Sequence, residues 1–360
     1  MIVTRVHCRN FRCLEAVDFA PSPGINVIQG DNAQGKTSLL ETILYAATSK
    51  SHRTNAEAEL ARHGAEGFQV EIEAHRTDRD VSLSAVWWKG QKRFKVNDIP
   101  QTRLSEILGR VHVVFFSPED VELVKGGAAA RRLFMDMELS QIEPAYLAAL
   151  QRYRQALRQR NELLRAPTPD ADLIAPWDEQ LIRTGMLLME RRAAYVAELN
   201  TAAAAAYGTI AQAEPLSLAY APDAGSPDAL AGVMKAALAS DLRRRVTSRG
   251  PHRDDIEIGI AGHAARSHAS QGQQKSAALA IKLAEVALVR ARTGEYPLLM
   301  LDEVLAELDA SRARQLFHAV PQEVQCLVTT ASALVDHAAF GREATRWRMQ
   351  GGCLEEATAA

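Results

Sequence analysis

Ile25-Asn26-Val27-Ile28-Gln29-Gly30-Asp31-Asn32-Ala33-Gln34-Gly35-Lys36-Thr37 is the stretch on which the fold turns. Its last eight residues fit the G-x-x-x-x-G-K-[ST] phosphate loop, and both neighbours suit that reading. Ile25, Val27 and Ile28 form a short apolar run suited to a buried strand, and Ser38 to Leu44 reads as the helix that follows. Such a loop turns backbone N–H groups onto phosphate oxygens at a helix N-terminus that already favours negative charge. Lys36 is then expected on the β- and γ-phosphates of a bound nucleotide and the Thr37 hydroxyl on Mg²⁺, while Asn32 and Gly35 shape the loop. A chance lysine in a Gly-rich turn would satisfy the string but not the flanking strand and helix.

The second half of such a site lies far downstream. Pro297-Leu298-Leu299-Met300-Leu301-Asp302-Glu303 is an apolar strand ending in two acids. A strand with no polar face belongs to a parallel sheet covered on both sides, and ligands of such sheets bind beyond the strands' carboxyl ends. Asp302 is expected to hold Mg²⁺ and Glu303 to orient and deprotonate the attacking water. A third segment, Ala269-Ser270-Gln271-Gly272-Gln273-Gln274-Lys275, precedes a long Ala/Leu-rich helix. Ser270 therefore opens a helix, as a cap or as part of a second anion site of exposed N–H groups.

The order Ser-x-Gly-Gln, helix, apolar strand, Asp-Glu resembles the signature-to-Walker-B block of ABC-type ATPases. In that family the signature loop meets the γ-phosphate bound to the other subunit, which the resemblance carries to Ser270, Gly272 and Gln273. Glu307-Leu308-Asp309 resembles the D-loop, with Asp309 at the nucleotide. Asn10-Phe11-Arg12 ahead of the phosphate loop resembles the heads of SMC, Rad50 and RecF proteins. The strings Ser117-Pro118-Glu119-Asp120, Arg131-Arg132-Leu133-Phe134-Met135-Asp136 and Arg249-Gly250-Pro251-His252-Arg253-Asp254-Asp255 narrow the resemblance to the RecF family, over residues 2–330. It implies nucleotide contacts from Arg12 and from the loop at Gly30, Asp31, Asn32, Ala33, Gln34, Gly35, Lys36, Thr37 and Ser38. Ala33 stands where related loops often carry Gly, and is strained if that position needs φ > 0. Gln271 replaces the first Gly of the common signature, Thr329-Thr330 stand where transporter-type relatives place a switch histidine, and no Q-loop glutamine follows Phe116. These departures imply slow turnover.

The chain has 360 residues, 47% apolar and 24% charged, with a net charge of −2. These are the proportions of an ordinary globular protein with room for two lobes. A near-neutral balance confines any nucleic-acid surface to a local patch. Cys8, Cys13, Cys326 and Cys353 lack metal or C-x-x-C spacing and read as free thiols in a reducing, cytoplasmic setting. There is no secretory h-region, and no run of about 18 apolar residues to span a bilayer.

The expected architecture is an α/β ABC-type ATPase head, a mixed sheet with the phosphate loop plus an antiparallel β layer, interrupted by an inserted α-helical lobe. The head takes residues 1–118 and 241–360 and the lobe 119–240. Residues 68–116 read as β-rich, residues 68–73 and 81–86 alternating with period two, and Lys89-Gly90 marks a hairpin. Residues 146–164 and 177–206 are the long helices, with the Pro-rich turn Ala166-Pro167-Thr168-Pro169, extended to Pro176, between them. SMC and Rad50 proteins carry long coiled-coil arms at this place, and this chain has no room for one.

Phosphate neutralisation needs clustered arginines. Candidates are Arg152, Arg154 and Arg158, with Arg160 and Arg165 on the same helix, then Arg243, Arg244 and Arg245 followed by Arg249 and Arg253, and Arg131-Arg132. Solvated helix faces and internal salt bridges are the competing account. The family resemblance implies an ATP-dependent homodimer that binds duplex, gapped or junction DNA and works with RecO and RecR to load RecA, with no membrane role. The rival is a soluble ATPase subunit of a membrane transporter. An ATPase-coupled nuclease would need a further acidic domain, and only about 30 residues follow Thr330.

Overall fold

A computed structural model describes residues 1–211, 214–308, 310–331 and 340–357. In chain order it runs β1 (Ile2–Phe11), β2 (Leu14–Phe19), β3 (Ile25–Gln29), α1 (Lys36–Thr48), β4 (Gly67–His75), β5 (Asp80–Trp88), β6 (Gln91–Val96), β7 (Ile99–Gln101) and β8 (Val113–Phe116). Next come α2 (Glu122–Lys125), α3 (Ala128–Ile142), α4 (Pro144–Arg165), α5 (Ala171–Ala211), β9 (Leu216–Ala221), α6 (Leu230–Arg244), β10 (Asp255–Ile260), β11 (His263–Ala264) and α7 (Ala265–His268). The chain then continues through α8 (Gln271–Thr293), β12 (Leu298–Leu301), α9 (Ala310–Ala319), β13 (Cys326–Thr330), β14 (Ala344–Gln350) and β15 (Cys353–Glu356). Two compact units result: residues 1–120, 206–212 and 279–360 in one, 121–205 and 213–278 in the other. Residues 241–278 thus group with the helices, whereas the sequence-based boundary stands at 240/241.

The first unit holds two six-stranded sheets, ordered β15-β14-β3-β13-β12-β8 and β2-β1-β4-β5-β6-β7. In the first sheet β14, β3, β13, β12 and β8 run parallel, and only β15 returns antiparallel. β12 and β13 are buried along their whole length, as strands covered on both faces must be. Thr329 and Thr330 are the last rungs of β13, opposite Ile28 and Gln29, rather than residues beyond the strand. The second sheet is antiparallel and alternates buried and accessible residues along β4 and β5. Its β5–β6 turn is Lys89-Gly90, both at positive φ, as a two-residue hairpin requires. Every residue of α1 except Thr37 is buried, and its side chains share one core with residues of both sheets. Phe68 meets Phe11 and Tyr45 edge-on there, with ring centroids 5.2 and 5.3 Å apart.

The second unit is largely helical but not wholly so. β11-β10-β9 form a small antiparallel sheet. β9 falls inside the stretch expected to be all helix. Its alternation of buried Leu216 and Leu218 with exposed Ser217 and Ala219 is a strand pattern, completed only by β10 more than thirty residues on. Helix α5 begins at Ala171 rather than after Pro176. The Asp170 carboxylate accepts the Asp172 N–H at 2.8 Å, so capping starts the helix ahead of the proline. Two buried arginines tie these elements together. Arg192 donates to Asp136, Asp254, the Pro251 carbonyl and Tyr146 at 2.7–3.0 Å. Arg160 donates to Asp178, Asp241 and Thr247 at 2.5–2.8 Å.

Candidate nucleotide site

In the parallel sheet β13 lies between β3 and β12, so the chain leaves all three strands at the same edge. That is the ligand-binding edge of such sheets. The turn from β3 into α1 is forced by packing. A Cβ on Gly30 would stand 2.2 Å from the Met349 carbonyl oxygen, and one on Gly35 would stand 2.8 Å from the Leu14 side chain. Gly35 has φ +111 and Ala33 φ +63, so the alanine does sit in left-handed backbone. Asn32, Ala33, Gln34 and Gly35 lead directly into the first turn of α1, and their N–H groups stand at its N-terminus. They form an anion cradle at the start of α1.

Lys36 is nearly buried. Its ammonium donates to the carbonyls of Gly30 and Asp31 at 2.7 and 2.9 Å and pairs with Glu303 Oε1 at 2.9 Å. Thr37 Oγ1 donates to Asp302 Oδ1 at 3.0 Å, and Thr329 Oγ1 donates to the same oxygen at 2.6 Å. Thr329 also accepts the Glu303 N–H at 3.0 Å, and Glu303 Oε2 accepts the Ala331 N–H at 3.0 Å. The structure thus gathers Lys36, Thr37, Asp302 and Glu303 although some 265 residues separate Thr37 from Asp302. Burial pushes the Asp302 carboxyl above the ordinary aspartate range, and the hydroxyls of Thr329 and Thr37 oppose that rise.

Two parts of the site were missed in sequence. Thr329 braces both acids, and its signal was only its place at a strand end. The β14–β15 turn, Gly351-Gly352, is the other. Its N–H groups donate to the Gln34 side chain at 2.6 Å and the Gln34 carbonyl at 3.0 Å. A Gly-Gly pair between two strands is a readable hairpin signal.

The remaining candidates are placed as follows. Asp31, Asn32 and Ala33 are exposed on the loop, and Ser38 is buried with its hydroxyl 3.6 Å from the Cys13 thiol. Arg12 grips both oxygens of Glu41 on α1 at 2.9 Å and the Glu59 carbonyl at 3.0 Å, so its guanidinium is directed to the base of α1. Ser270 and Gln273 form a reciprocal cap on α8: Ser270 Oγ accepts the Gln273 N–H at 3.2 Å, and Gln273 Oε1 accepts the Ser270 N–H at 2.8 Å. Gly272 lies in the first turn of that helix. Asp309 lies outside the described residues.

The arginine clusters divide. Arg152, Arg154, Arg158, Arg243, Arg244 and Arg245 are exposed, although Arg154 pairs with Asp136 at 2.8 Å. Arg160 and Arg131 are buried in ion pairs with Asp241 and Asp255 and present no free surface.

The family model described as RecF/RecN/SMC N terminal domain matches residues 2–351. DNA replication and repair protein RecF of Symbiobacterium thermophilum is 40% identical over 341 residues, 91% of each chain. The chain belongs to the RecF family. A solved structure of the recombination mediator protein RecF with ATP, in the RecFOR pathway, matches with a TM-score of 0.91 at 30% identity, covering 99% of this chain and 98% of that one. An Smc head bound to the C-winged helix domain of ScpA, at 15% identity and a TM-score of 0.58 over 99% and 97% of the two chains, shares the fold alone. The architecture is therefore the ABC-type ATPase head of RecF proteins, and the enzyme class is ATPase. Among the described residues no helix is long and apolar enough to cross a membrane.

Proposed function

We propose that this RecF-family ATPase is an ATP-dependent DNA-binding recombination mediator. In this reading it dimerises on ATP, binds duplex, gapped or junction DNA, and acts with RecO and RecR to load RecA at single-strand gaps. Slow hydrolysis then times release. The observation that carries the reading is the meeting of Lys36, Thr37, Asp302 and Glu303 at one edge of the parallel sheet, in a chain resembling RecF along its length.

A hard cation suits the donor set. Thr37 Oγ1 and Asp302 Oδ1 lie 3.0 Å apart, and both are hard oxygen donors of the kind that would hold Mg²⁺. One carboxylate and one hydroxyl, completed by phosphate and water, are how Mg²⁺ is commonly held beside nucleotides. Bound there, the ion would neutralise phosphate charge. Lys36 would release Glu303 when a γ-phosphate competes for its ammonium. The freed carboxylate oxygen would accept a proton as water attacks phosphorus and the bond to the β-phosphate oxygen breaks. Glu303 Oε2, on the Ala331 N–H, would keep the group aimed.

The test is DNA binding by the full chain with and without ATP and Mg²⁺, on duplex, single-stranded and gapped substrates. Tighter binding to duplex-containing substrates with ATP supports the reading. Equal binding in every nucleotide condition, or none, overturns it.

A further inference from the structure

We propose that a cleft between α6 and the Arg249–Arg253 turn is a docking site for the sugar-phosphate backbone of DNA. The proposal rests on the DNA-binding reading and assigns it a place in the second unit.

The cleft is a wide depression of about 830 Å³, open to solvent, so an extended backbone can reach it without passing a narrow mouth. One wall is a single stripe of α6. Val233, Ala236, Ala237, Ser240 and Arg244 follow one another at helical spacing, and the small side chains open the space. The facing wall carries Arg249 and Arg253. Three arginines therefore line the cleft against one acid, Asp223.

That carboxylate is already engaged. Asp223 Oδ2 takes the Arg249 guanidinium at 3.0 Å and the Gly250 N–H at 2.8 Å, and the Asp223 carbonyl takes a second Arg249 nitrogen at 2.6 Å. Arg249 is thereby fixed as part of the wall. Arg244 and Arg253 are different: neither side chain has a hydrogen bond or ion pair among the described residues. The competing account of Arg253, that it orders the acids beside it in sequence, is met by other groups. Arg192 and Tyr220 hold the Asp254 carboxylate, and Arg131 holds that of Asp255. The α6 end of Arg244 is favourable for a cation through the helix dipole, but that needs no cleft.

The chemistry points to phosphodiesters. Arginine forks match phosphate oxygens, and a backbone contact needs no base-reading geometry. The apolar part of the α6 wall, Val233 and two alanines, offers no deep pocket for the aromatic anchors that dominate protein–protein hot spots.

The experiment measures duplex affinity of the full chain with ATP and Mg²⁺ by fluorescence anisotropy across a salt series. Arg244→Gln/Arg253→Gln should weaken binding about tenfold or more and make the log K against log salt slope shallower by roughly two, about one per lost phosphate contact. Ala236 is an exposed helix position inside the cleft, so a charge there leaves the core intact. Ala236→Glu should lose affinity like the double variant, and Ala236→Lys should gain it. The same pair at Ala194, exposed on α5 and outside the cleft, should change little. ATP affinity and thermal midpoint should hold throughout. If the parent chain binds duplex but the Arg244/Arg253 and Ala236 variants match it in affinity and slope, the cleft is overturned and the DNA reading stands. If the parent binds no DNA in any nucleotide state, both fall.

Discussion

Lys36 and Glu303 face each other across the site, and the ion pair between them makes opposite demands on the two residues. The lysine is the cation of the cradle, and its charge-assisted contacts to phosphate exceed neutral ones in strength. Lys36→Met is therefore expected to abolish ATP binding in an equilibrium titration. Glu303→Gln keeps the cradle and removes a carboxylate that competes with phosphate for Lys36. ATP affinity should be retained or increased, while turnover falls at least a hundredfold, the range lost with a general base. Parent-level turnover in Glu303→Gln would assign the base elsewhere. Asp302 poses a stability question instead. Burial raises its folded pKa above that of the unfolded chain. The stability this group contributes is full below the ordinary carboxylate range and is lost as pH rises through the folded value. At neutral pH this carboxyl is thus a cost to the fold. Asp302→Asn still accepts from Thr37 and Thr329 through its carbonyl oxygen. It should raise the thermal midpoint at neutral pH, with the gain shrinking in mild acid, while ATPase activity is lost. A lower midpoint at neutral pH would show that the carboxylate's hydrogen bonds outweigh its desolvation.

The elements show which features of the fold the sequence made legible. The phosphate loop and β12 were readable because each joins a local pattern to a chemical residue: Gly-Lys-Thr at a helix start, acids after four apolar residues. The end of β13 was not, since Thr329-Thr330 look like loop residues until β3 supplies their rungs. β9 was hidden because its partner comes from a distant segment. Arg160 was misread among surface arginines although helical spacing held the warning. It falls on the α4 stripe of Tyr153, Ala156 and Leu164, all buried. Its guanidinium answers Asp241 and Asp178. Arg160→Met keeps most of the volume but leaves the buried Asp241 charge without its cation, held only by Ser248 among the described residues, which costs roughly 3–5 kcal/mol. Arg152→Gln, one face away and exposed, should stay within about 0.5 kcal/mol. Denaturant unfolding measures both. Equal stabilities for the two variants would show that Arg160 reaches solvent.

At the scale of the whole molecule, the two halves of the expected chemistry fall in different compact units. The cradle and its acids belong to the first, and Ser270 to the second. The cradle needs nothing from Ser270 to bind ATP in cis, because Gly30 to Thr37 already supply its donors and cation. Ser270 has work of its own in capping α8, so a variant that merely breaks the cap cannot reveal a role at a partner's phosphate. Ser270→Asp separates the two. Aspartate caps a helix as well as serine does, and its charge suits the helix N-terminus, so α8 keeps its stability. A carboxylate facing a second subunit's γ-phosphate is instead repulsive. Monomeric ATP binding should be unchanged, whereas the ATP-dependent dimer and its hydrolysis should be lost. Ser270→Ala, which drops the cap at a cost of about 1 kcal/mol but adds no charge, should lower stability and weaken the dimer much less. Sedimentation with ATP and Mg²⁺, beside a nucleotide titration, decides it. A Ser270→Asp dimer of parent strength would confine Ser270 to capping. Greater loss in Ser270→Ala than in Ser270→Asp would show that the cap, and not a phosphate across the interface, is what dimerisation requires.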